Sequence, residues 1–155
     1  MKKKLTILAF KNTSAELLVK GLDFPTVLLP SDNIKDSEIA RTEIEKSEIV
    51  ICFGQKPQIK NKICLEMVAK NHGELIKTNF DIEPLKHLLE TNNIAFTESH
   101  SPGTSYCNLI YWNSLNYIKA QKLNCKFMFI HIPFGKNIDN ILALQEKLKI
   151  VIKNL

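Results

Sequence analysis

Two neighbouring segments decide the fold of this chain: Ser99–Trp112, with the sequence SHSPGTSYCNLIYW, and Lys126–Gly135, with the sequence KFMFIHIPFG. In the first, Cys107 follows a Pro-Gly-Thr-Ser turn signal, at the point where a helix is expected to begin. In the second, His131 ends a continuous apolar run just before the Ile132-Pro133 break, which is typical of a buried strand. A helix that leads into a buried strand is the repeating unit of an α/β fold.

Cys107 and His131 have the side chains of a catalytic dyad. The unpaired N–H groups at a helix N-terminus favour the thiolate, which is the nucleophilic form of cysteine. An imidazole at the end of a buried strand could accept the thiol proton. We therefore predict a thiolate fraction for Cys107 well above that of the other three cysteines. Taken singly, each residue has a plainer interpretation, Cys107 as a half-buried helix residue and His131 as a core or rim histidine.

Apolar segments alternate with amphipathic segments along the whole chain. The predicted strands are Leu5–Phe10, Phe24–Leu29, Glu48–Phe53, Lys62–Ala69, Leu75–Thr78, Ile94–Thr97 and Lys126–Ile130. The predicted helices are Asn12–Leu22, Asp32–Lys46, Asp81–Thr91, Thr104–Gln121 and Asn137–Val151. Because the strands are apolar throughout, they predict a three-layer α/β fold in which helices cover both faces of a mostly parallel, twisted sheet. Residues 1–155 contain no linker or repeat and are expected to form a single domain.

The candidate functional side chains are expected at one rim of this sheet. Sites in open parallel sheets lie beyond the carboxyl ends of the strands. Phe10, Phe53-Gly54-Gln55 and His131 fall at predicted strand ends, and Cys107 opens a helix that follows a strand. The order of elements therefore predicts that these residues share one rim.

The composition argues against several classes of protein. The net charge of +5 comes mainly from scattered lysines, without the basic stripe or motif of a nucleic-acid-binding protein. No apolar run approaches the roughly 18–20 residues that a membrane span needs. The apolar stretch after Lys2-Lys3-Lys4 is short and ends at Lys11-Asn12 without a cleavage pattern, so it predicts a strand and not a signal peptide. We therefore expect a cytoplasmic protein with no nucleic-acid or membrane partner.

The cysteine pattern offers no metal site. The four cysteines are Cys52, Cys64, Cys107 and Cys125, and none forms a C-x-x-C pair. Zinc and thioredoxin-type motifs therefore have little support, and we expect neither a metal nor another cofactor. Apart from Cys107, the cysteines lie in apolar runs and are expected to be free thiols in the core.

Glu66 is the candidate for a third member of the site. It stands in the apolar segment KICLEMVAKN, where a buried carboxylate is costly unless it has a cationic or hydrogen-bonding partner. Such a carboxylate could orient the imidazole of His131. The alternative interpretation is that Glu66 faces water from an edge strand.

Taken together, these segments resemble the pyroglutamyl peptidase I family, also called pyrrolidone-carboxylate peptidases. The family's SxxxGxxxCN-type segment, which carries the nucleophile, is similar to Ser99–Asn108, and its FIHVP-like segment, which carries the histidine, is similar to Phe129–Pro133. Leu65–Asn71 is similar to the family's ErvAiN segment, which carries the catalytic acid, and Phe53-Gly54-Gln55 is similar to the GQ that precedes it. Ile7–Phe10 is similar to the opening strand. The resemblance therefore touches most of the chain.

The resemblance implies a function and a role for each residue. It implies a cysteine peptidase that removes N-terminal pyroglutamyl residues, with Cys107 as nucleophile, His131 as base and then acid, and Glu66 as the group that orients the imidazole. It also implies substrate contacts from Phe10, as an apolar wall for the lactam ring, and from Gln55, as a polar contact. The expected partner is a peptide or small-amide substrate, and a homo-oligomer is possible because family members often assemble in this way.

The chain departs from the family in the loops that shape the substrate pocket. The PFGG-containing loop after the first strand is missing, and Lys56-Pro57-Gln58 replaces a glycine-rich segment with an arginine. The stretch after the ErvAiN-like segment is cut to His72–Asn79, and Pro102 replaces an alanine. These departures predict a more open pocket with weaker pyroglutamyl binding. Two alternatives follow: the same fold and triad acting on a different small amide or ester, or a non-catalytic binding protein that retains the scaffold.

Overall fold

A computed structural model describes residues 3–101, 103 and 105–155, and in it strands alternate with helices. The strands are β1 (Leu5–Phe10), β2 (Thr26–Leu29), β3 (Ile49–Lys56), β4 (Ile63–Glu66), β5 (Val68–Asn71), β6 (Glu74–Lys77), β7 (Phe96–Ser99) and β8 (Lys126–Pro133). The helices are α1 (Ser14–Val19), α2 (Asn33–Lys46), α3 (Ile82–Thr91), α4 (Tyr106–Gln121) and α5 (Ile141–Lys153), with a short 3-10 helix at Gly135–Asn137.

Six of the described strands form one sheet in the order β2-β1-β3-β8-β4-β7. Neighbouring strands in this sheet are parallel, except that β4 runs antiparallel to β8. Strands β5 and β6 form a separate antiparallel hairpin. The predicted mostly parallel sheet is therefore confirmed, and β8, which comes late in the chain, lies near its centre.

Helices cover both faces of the sheet. On one face, α1, α3 and α5 contribute buried residues such as Leu18, Leu85 and Leu148 to a first apolar cluster. On the other face, α2 and α4 contribute residues such as Ala40 and Tyr111 to a second cluster. Because side chains alternate along a strand, the apolar strands β1, β3 and β8 supply residues to both clusters. This is the three-layer arrangement that the sequence predicted.

Most of the described strands differ from their predicted bounds by a few residues, and two of these differences affect the site. Strand β3 continues past Gly54 as far as Lys56, because these last residues pair in register with His131–Pro133 of β8. The predicted strand Lys62–Ala69 is divided at Met67, whose N–H donates to the carbonyl oxygen of Ser99 at 2.8 Å. After this residue the chain leaves the sheet and forms the β5–β6 hairpin.

All five of the described helices begin later than predicted, α4 and α5 among them. Thr104, the predicted start of α4, and Pro102 of the turn signal lie outside the described residues. Helix α4 begins at Tyr106, and its cap residue Ser105 accepts the N–H of Cys107. Helix α5 begins at Ile141, because the side chain of Asn140 caps it. None of the described helices has the length and apolar character needed to cross a membrane.

Candidate active site

His131 and Glu66 are joined by a hydrogen bond across two neighbouring strands. The distance from His131 Nδ1 to Glu66 Oε1 is 3.0 Å. In the antiparallel pairing of β4 with β8, Glu66 lies opposite Phe129 and Cys64 lies opposite His131, so Glu66 reaches the imidazole diagonally on one face of the sheet. Glu66 is fully buried, and β4 lies between β8 and β7. The alternative that Glu66 faces water from an edge strand is therefore wrong.

Cys107, in the first turn of α4, packs against β3 beside Gly54. A Cβ atom on Gly54 would lie 2.8 Å from Cys107 Sγ, well inside van der Waals contact. Gly54 is the register partner of His131, so the imidazole and the thiol lie on the same face at the same end of the sheet. No hydrogen bond joins the two side chains in the part of the chain that the structure describes.

Phe129 connects Phe10 to His131. The ring centroids of Phe129 and His131 are 4.8 Å apart, and those of Phe129 and Phe10 are 6.5 Å apart. Phe10 is only 4% exposed. In this structure Phe10 therefore supports the ring that packs on the imidazole, and its contact with a substrate stays a prediction.

Gln55 is held at the junction of three elements. Its Oε1 accepts the N–H of Ser14 at 3.1 Å, and the Ser14 hydroxyl donates to the carbonyl oxygen of Pro133 at 2.6 Å. These contacts tie the start of α1 to the ends of β3 and β8. The amide NH₂ of Gln55 has no hydrogen-bond partner among the described residues, and its contact with a substrate stays a prediction.

Three donors converge on one oxygen of the Glu66 carboxylate. Oε1 lies 3.0 Å from His131 Nδ1, 3.1 Å from Lys56 Nζ and 3.5 Å from Cys64 Sγ. Burial by itself would raise the pKa of Glu66. The hydrogen bond from His131, assisted by the Ser99 hydroxyl and Lys56, outweighs burial and holds that pKa below its ordinary value. The other oxygen, Oε2, is buried and has no hydrogen-bond partner in the described part of the chain.

The Cys107 thiol is protonated in the free protein. Burial raises the pKa of Cys107 to about 11, although the Ser105 hydroxyl acts in the opposite direction. Loss of solvent around the sulfur therefore outweighs the effect of the helix N-terminus in the free protein. Because burial also raises the pKa of Cys52, Cys64 and Cys125, the expectation that Cys107 has the largest thiolate fraction of the four cysteines stays a prediction. Ionisation needs a base that acts during the reaction.

The remaining cysteines lie in the core, as the sequence predicted. Cys52, Cys64 and Cys125 are buried and, like Cys107, are free thiols. The other three histidines, His72, His87 and His100, are exposed. Within the described residues, no group of three or more His, Cys, Asp or Glu side chains is placed to hold a metal ion.

Sequence reasoning missed Tyr111, which supports the backbone at Glu66. The Tyr111 hydroxyl donates to the Glu66 carbonyl oxygen at 2.7 Å, and the side chain is fully buried. Its position four residues after Cys107 places it on the same face of α4, and this spacing is a signal that could have identified it. Lys56, the ion-pair partner of Glu66, was also missed as a site residue.

A groove of about 540 Å³ adjoins the candidate nucleophile. Ser105, Tyr106 and Asn108, which flank Cys107 in the sequence, line it together with residues of the β5–β6 hairpin. The Asn108 side chain pairs with the backbone of Lys70 in both directions, at 2.9 and 2.8 Å. This double hydrogen bond fixes the hairpin against the first turn of α4.

The close approach of Cys107 to Gly54 leads to a test by substitution. In Gly54→Ala the new Cβ would meet Cys107 Sγ at 2.8 Å and Phe129 Cζ at 3.0 Å, so the thiol has to move. Because a displacement of about 1 Å at a reacting atom costs about 100-fold in rate, we expect a loss of about that size in kcat/KM on the substrate proposed below. Steady-state kinetics with a fluorogenic amide measures it.

Two controls accompany this substitution. Gly135→Ala introduces the same methyl group where nothing lies within 4 Å, and it should leave the kinetics unchanged. In a Cys107→Ala background, the drop in melting temperature caused by Gly54→Ala should be smaller than in the wild type, because the sulfur is gone. Full activity of Gly54→Ala would show that the thiol does not depend on this contact.

Comparisons with known proteins identify the family. No family model matches the chain. The chain is 32% identical over 146 residues to the pyrrolidone-carboxylate peptidase of Brachyspira hyodysenteriae, and the match covers 79% of this chain and 70% of that protein. The chain belongs to the pyrrolidone-carboxylate peptidase family. A second member, from Thermosipho melanesiensis, is 31% identical over 115 residues, which cover 60% of this chain and 56% of that protein.

Solved structures of this family have the same fold. The pyroglutamyl peptidase I of Bacillus amyloliquefaciens superposes with a TM-score of 0.84 at 20% identity, over 97% of this chain and 93% of that chain. The pyrrolidone carboxyl peptidase of Fervidobacterium islandicum AW-1 gives 0.84 at 19% identity, over 99% and 98%. These comparisons confirm the resemblance to pyrrolidone-carboxylate peptidases and the α/β fold class. They also confirm the assignment to the cysteine-type omega peptidases, which are hydrolases.

Proposed function

We propose that this chain is a cysteine peptidase that removes N-terminal pyroglutamyl residues from peptides by means of a Cys107-His131-Glu66 triad. The observation that carries the proposal is the 3.0 Å contact between His131 Nδ1 and Glu66 Oε1, on the same face and at the same end of the sheet as the Cys107 thiol. The names of the relatives, which are pyrrolidone-carboxylate peptidases, support the choice of substrate.

The proposed mechanism begins with the imidazole as a general base. Glu66 is ionised and accepts the Nδ1–H of His131, so that Nε2 is the unprotonated nitrogen. As Cys107 Sγ bonds to the pyroglutamyl carbonyl carbon, Nε2 takes the thiol proton. A pKa of about 11 for Cys107 favours this joint transfer over a thiolate formed in advance.

The second half of the cycle returns that proton and regenerates the thiol. The imidazolium donates its proton to the departing amine nitrogen, the C–N bond breaks, and a thioester on Cys107 remains. His131 then takes a proton from water, whose oxygen attacks the thioester carbon. Pyroglutamate leaves, and the proton returns to the sulfur.

Charge on the carbonyl oxygen develops next to the N-terminus of α4. The partial positive charge at the start of this helix, together with backbone N–H groups near Cys107, would stabilise the oxyanion. The N–H of Cys107 itself donates to Ser105 Oγ at the long distance of 3.3 Å. This bond is weak enough to be exchanged for a stronger one to an anionic oxygen.

The substrate is proposed to lie between the thiol and the ends of β1 and β3. The Gln55 amide would supply a donor for the lactam carbonyl oxygen, and Phe10 an apolar surface for the ring. We further propose that residues 1–155 act as one domain in the cytoplasm, where four free thiols are stable. Homo-oligomer formation stays a prediction.

A substrate panel tests the proposed function. We expect hydrolysis of a pyroglutamyl fluorogenic amide, blocked by iodoacetamide, with kcat/KM above that of the prolyl and alanyl analogues. Phe10→Ala should lower the pyroglutamyl value by about 10- to 200-fold and the alanyl value much less, because a lost apolar contact costs only the substrate that uses it. Faster hydrolysis of another small amide or ester would contradict the proposed substrate, and turnover that survives alkylation would contradict the proposed nucleophile.

A further inference from the structure

Lys56 shares the carboxylate oxygen that binds the imidazole. Its Nζ lies 3.1 Å from Glu66 Oε1, the atom that is 3.0 Å from His131 Nδ1. Lys56 is the last residue of β3 and pairs in register with Pro133 of β8. The Glu66 side chain is fully buried, whereas that of Lys56 is 29% exposed. The ammonium group therefore enters the site from the rim, while its partner lies inside.

Among the residues that the structure describes, the groups around the Glu66 carboxylate include one fixed cation, Lys56. They come from β3, β4, β8 and α4, and the titratable ones are Lys56, Cys64, His131, Cys107 and Tyr111. The two thiols and the tyrosine have raised pKa values and are neutral near pH 7. When the imidazole is neutral, Lys56 is the one cation in the described part of the chain that pairs with the buried carboxylate.

We propose that Lys56 is a positioning residue that keeps Glu66 ionised while His131 is neutral, and thereby sets the pH range in which the imidazole acts as a base. This inference rests on the proposed function, because it assigns the imidazole the role of base. The nearby cation makes the negative potential at the imidazole smaller. The proton that His131 takes from Cys107 is then held less tightly and passes more readily to the leaving amine.

The test compares substitutions that remove the charge with one that keeps it. Lys56→Met and Lys56→Gln both remove the cation, and Lys56→Gln keeps a hydrogen-bond donor for Glu66 Oε1. Lys56→Arg retains the cation and serves as the matched control. Two variants without the charge keep the test informative if one of them folds poorly, which thermal unfolding reports.

The first measurement needs no substrate. The NMR signal of the His131 ring, assigned by its loss in His131→Gln, is followed through a pH titration of the free protein. In both uncharged variants we expect the titration midpoint to rise by about one pH unit. The reason is that the positive charge of Lys56 no longer competes with the imidazolium for the Glu66 carboxylate. In Lys56→Arg the midpoint should stay at the wild-type position.

The second measurement is the pH profile of kcat/KM on the pyroglutamyl amide. Its acid limb should move to higher pH by the same amount in Lys56→Met and Lys56→Gln, while at pH 9 their rates approach that of the wild type. An unmoved ring titration, or an equal shift in Lys56→Arg, would overturn the assignment. If none of the proteins hydrolyses the pyroglutamyl amide, the proposed function fails, and the ring titration still decides the effect of Lys56 on His131.

Discussion

Cys107→Ala should abolish turnover of a pyroglutamyl amide, with a loss on the order of a million-fold, because no other step can form the acyl intermediate once the nucleophile is gone. The fold should survive, since the methyl group of alanine fits the space beside Gly54 that the larger thiol now fills. Mass spectrometry of the protein quenched with acid during turnover should show an acyl adduct on the wild type and none on the variant.

Cys125→Ala provides the matched control for this substitution. Cys125 is another buried free thiol, which contacts the backbone of Lys126 at the start of β8, away from the rim. Its loss should cost some stability through a small cavity and leave kcat/KM unchanged. If Cys107→Ala turned over substrate within tenfold of the wild-type rate, Cys107 would not be the nucleophile.

Glu66→Gln should lower kcat by roughly 10,000-fold while the protein stays folded. The amide has nearly the shape of the carboxylate, but it carries no charge to stabilise an imidazolium. The amide keeps only one acceptor oxygen, and when its NH₂ group faces His131 Nδ1–H and Lys56 it presents a donor where both require an acceptor. Steady-state kinetics and thermal unfolding measured on the same sample separate the loss of rate from any loss of stability.

Glu98→Gln is the control for this second substitution. Glu98 lies on β7, next to β4, and pairs with Lys86 at 3.3 Å on the protein surface. Exposed ion pairs contribute little, so its kinetics and melting temperature should match those of the wild type. Full activity of Glu66→Gln would show that the carboxylate has a structural role and does not orient the imidazole.

Much of the site was predictable, because its chemistry lies in short segments. His131 ends an apolar run and Cys107 opens a helix, and each signal is local in the sequence. Glu66 stands out because a carboxylate in an apolar strand needs a partner. The structure supplies that partner in His131, 65 residues further along the chain. The apolar strands likewise predicted a sheet that is covered on both faces.

The rest depends on tertiary contacts that leave no local signal. Lys56 and Glu66 meet although β8 separates β3 from β4 in the sheet, and the sequence does not reveal this strand order. The sequence also gives no sign that β4 runs antiparallel to β8. The protonated state of Cys107 depends on how closely the thiol packs, and burial here outweighs the effect of the helix terminus that the sequence suggested.

The central position of β8 has a consequence for how the chain acquires its reactivity. The sheet contains two groups of strands that come before β8 in the sequence. One group, β2, β1 and β3, precedes residue 57, and the other, β4 and β7, precedes residue 100. The two groups are joined only when β8 inserts between β3 and β4. Pairings between distant parts of a chain form late in folding, because closing a long loop costs entropy first. The same strand carries His131, so the nucleophile has no base until the sheet closes. If the proposed triad is correct, we expect a nascent or partly unfolded molecule to be inactive until β8 joins the two groups of strands.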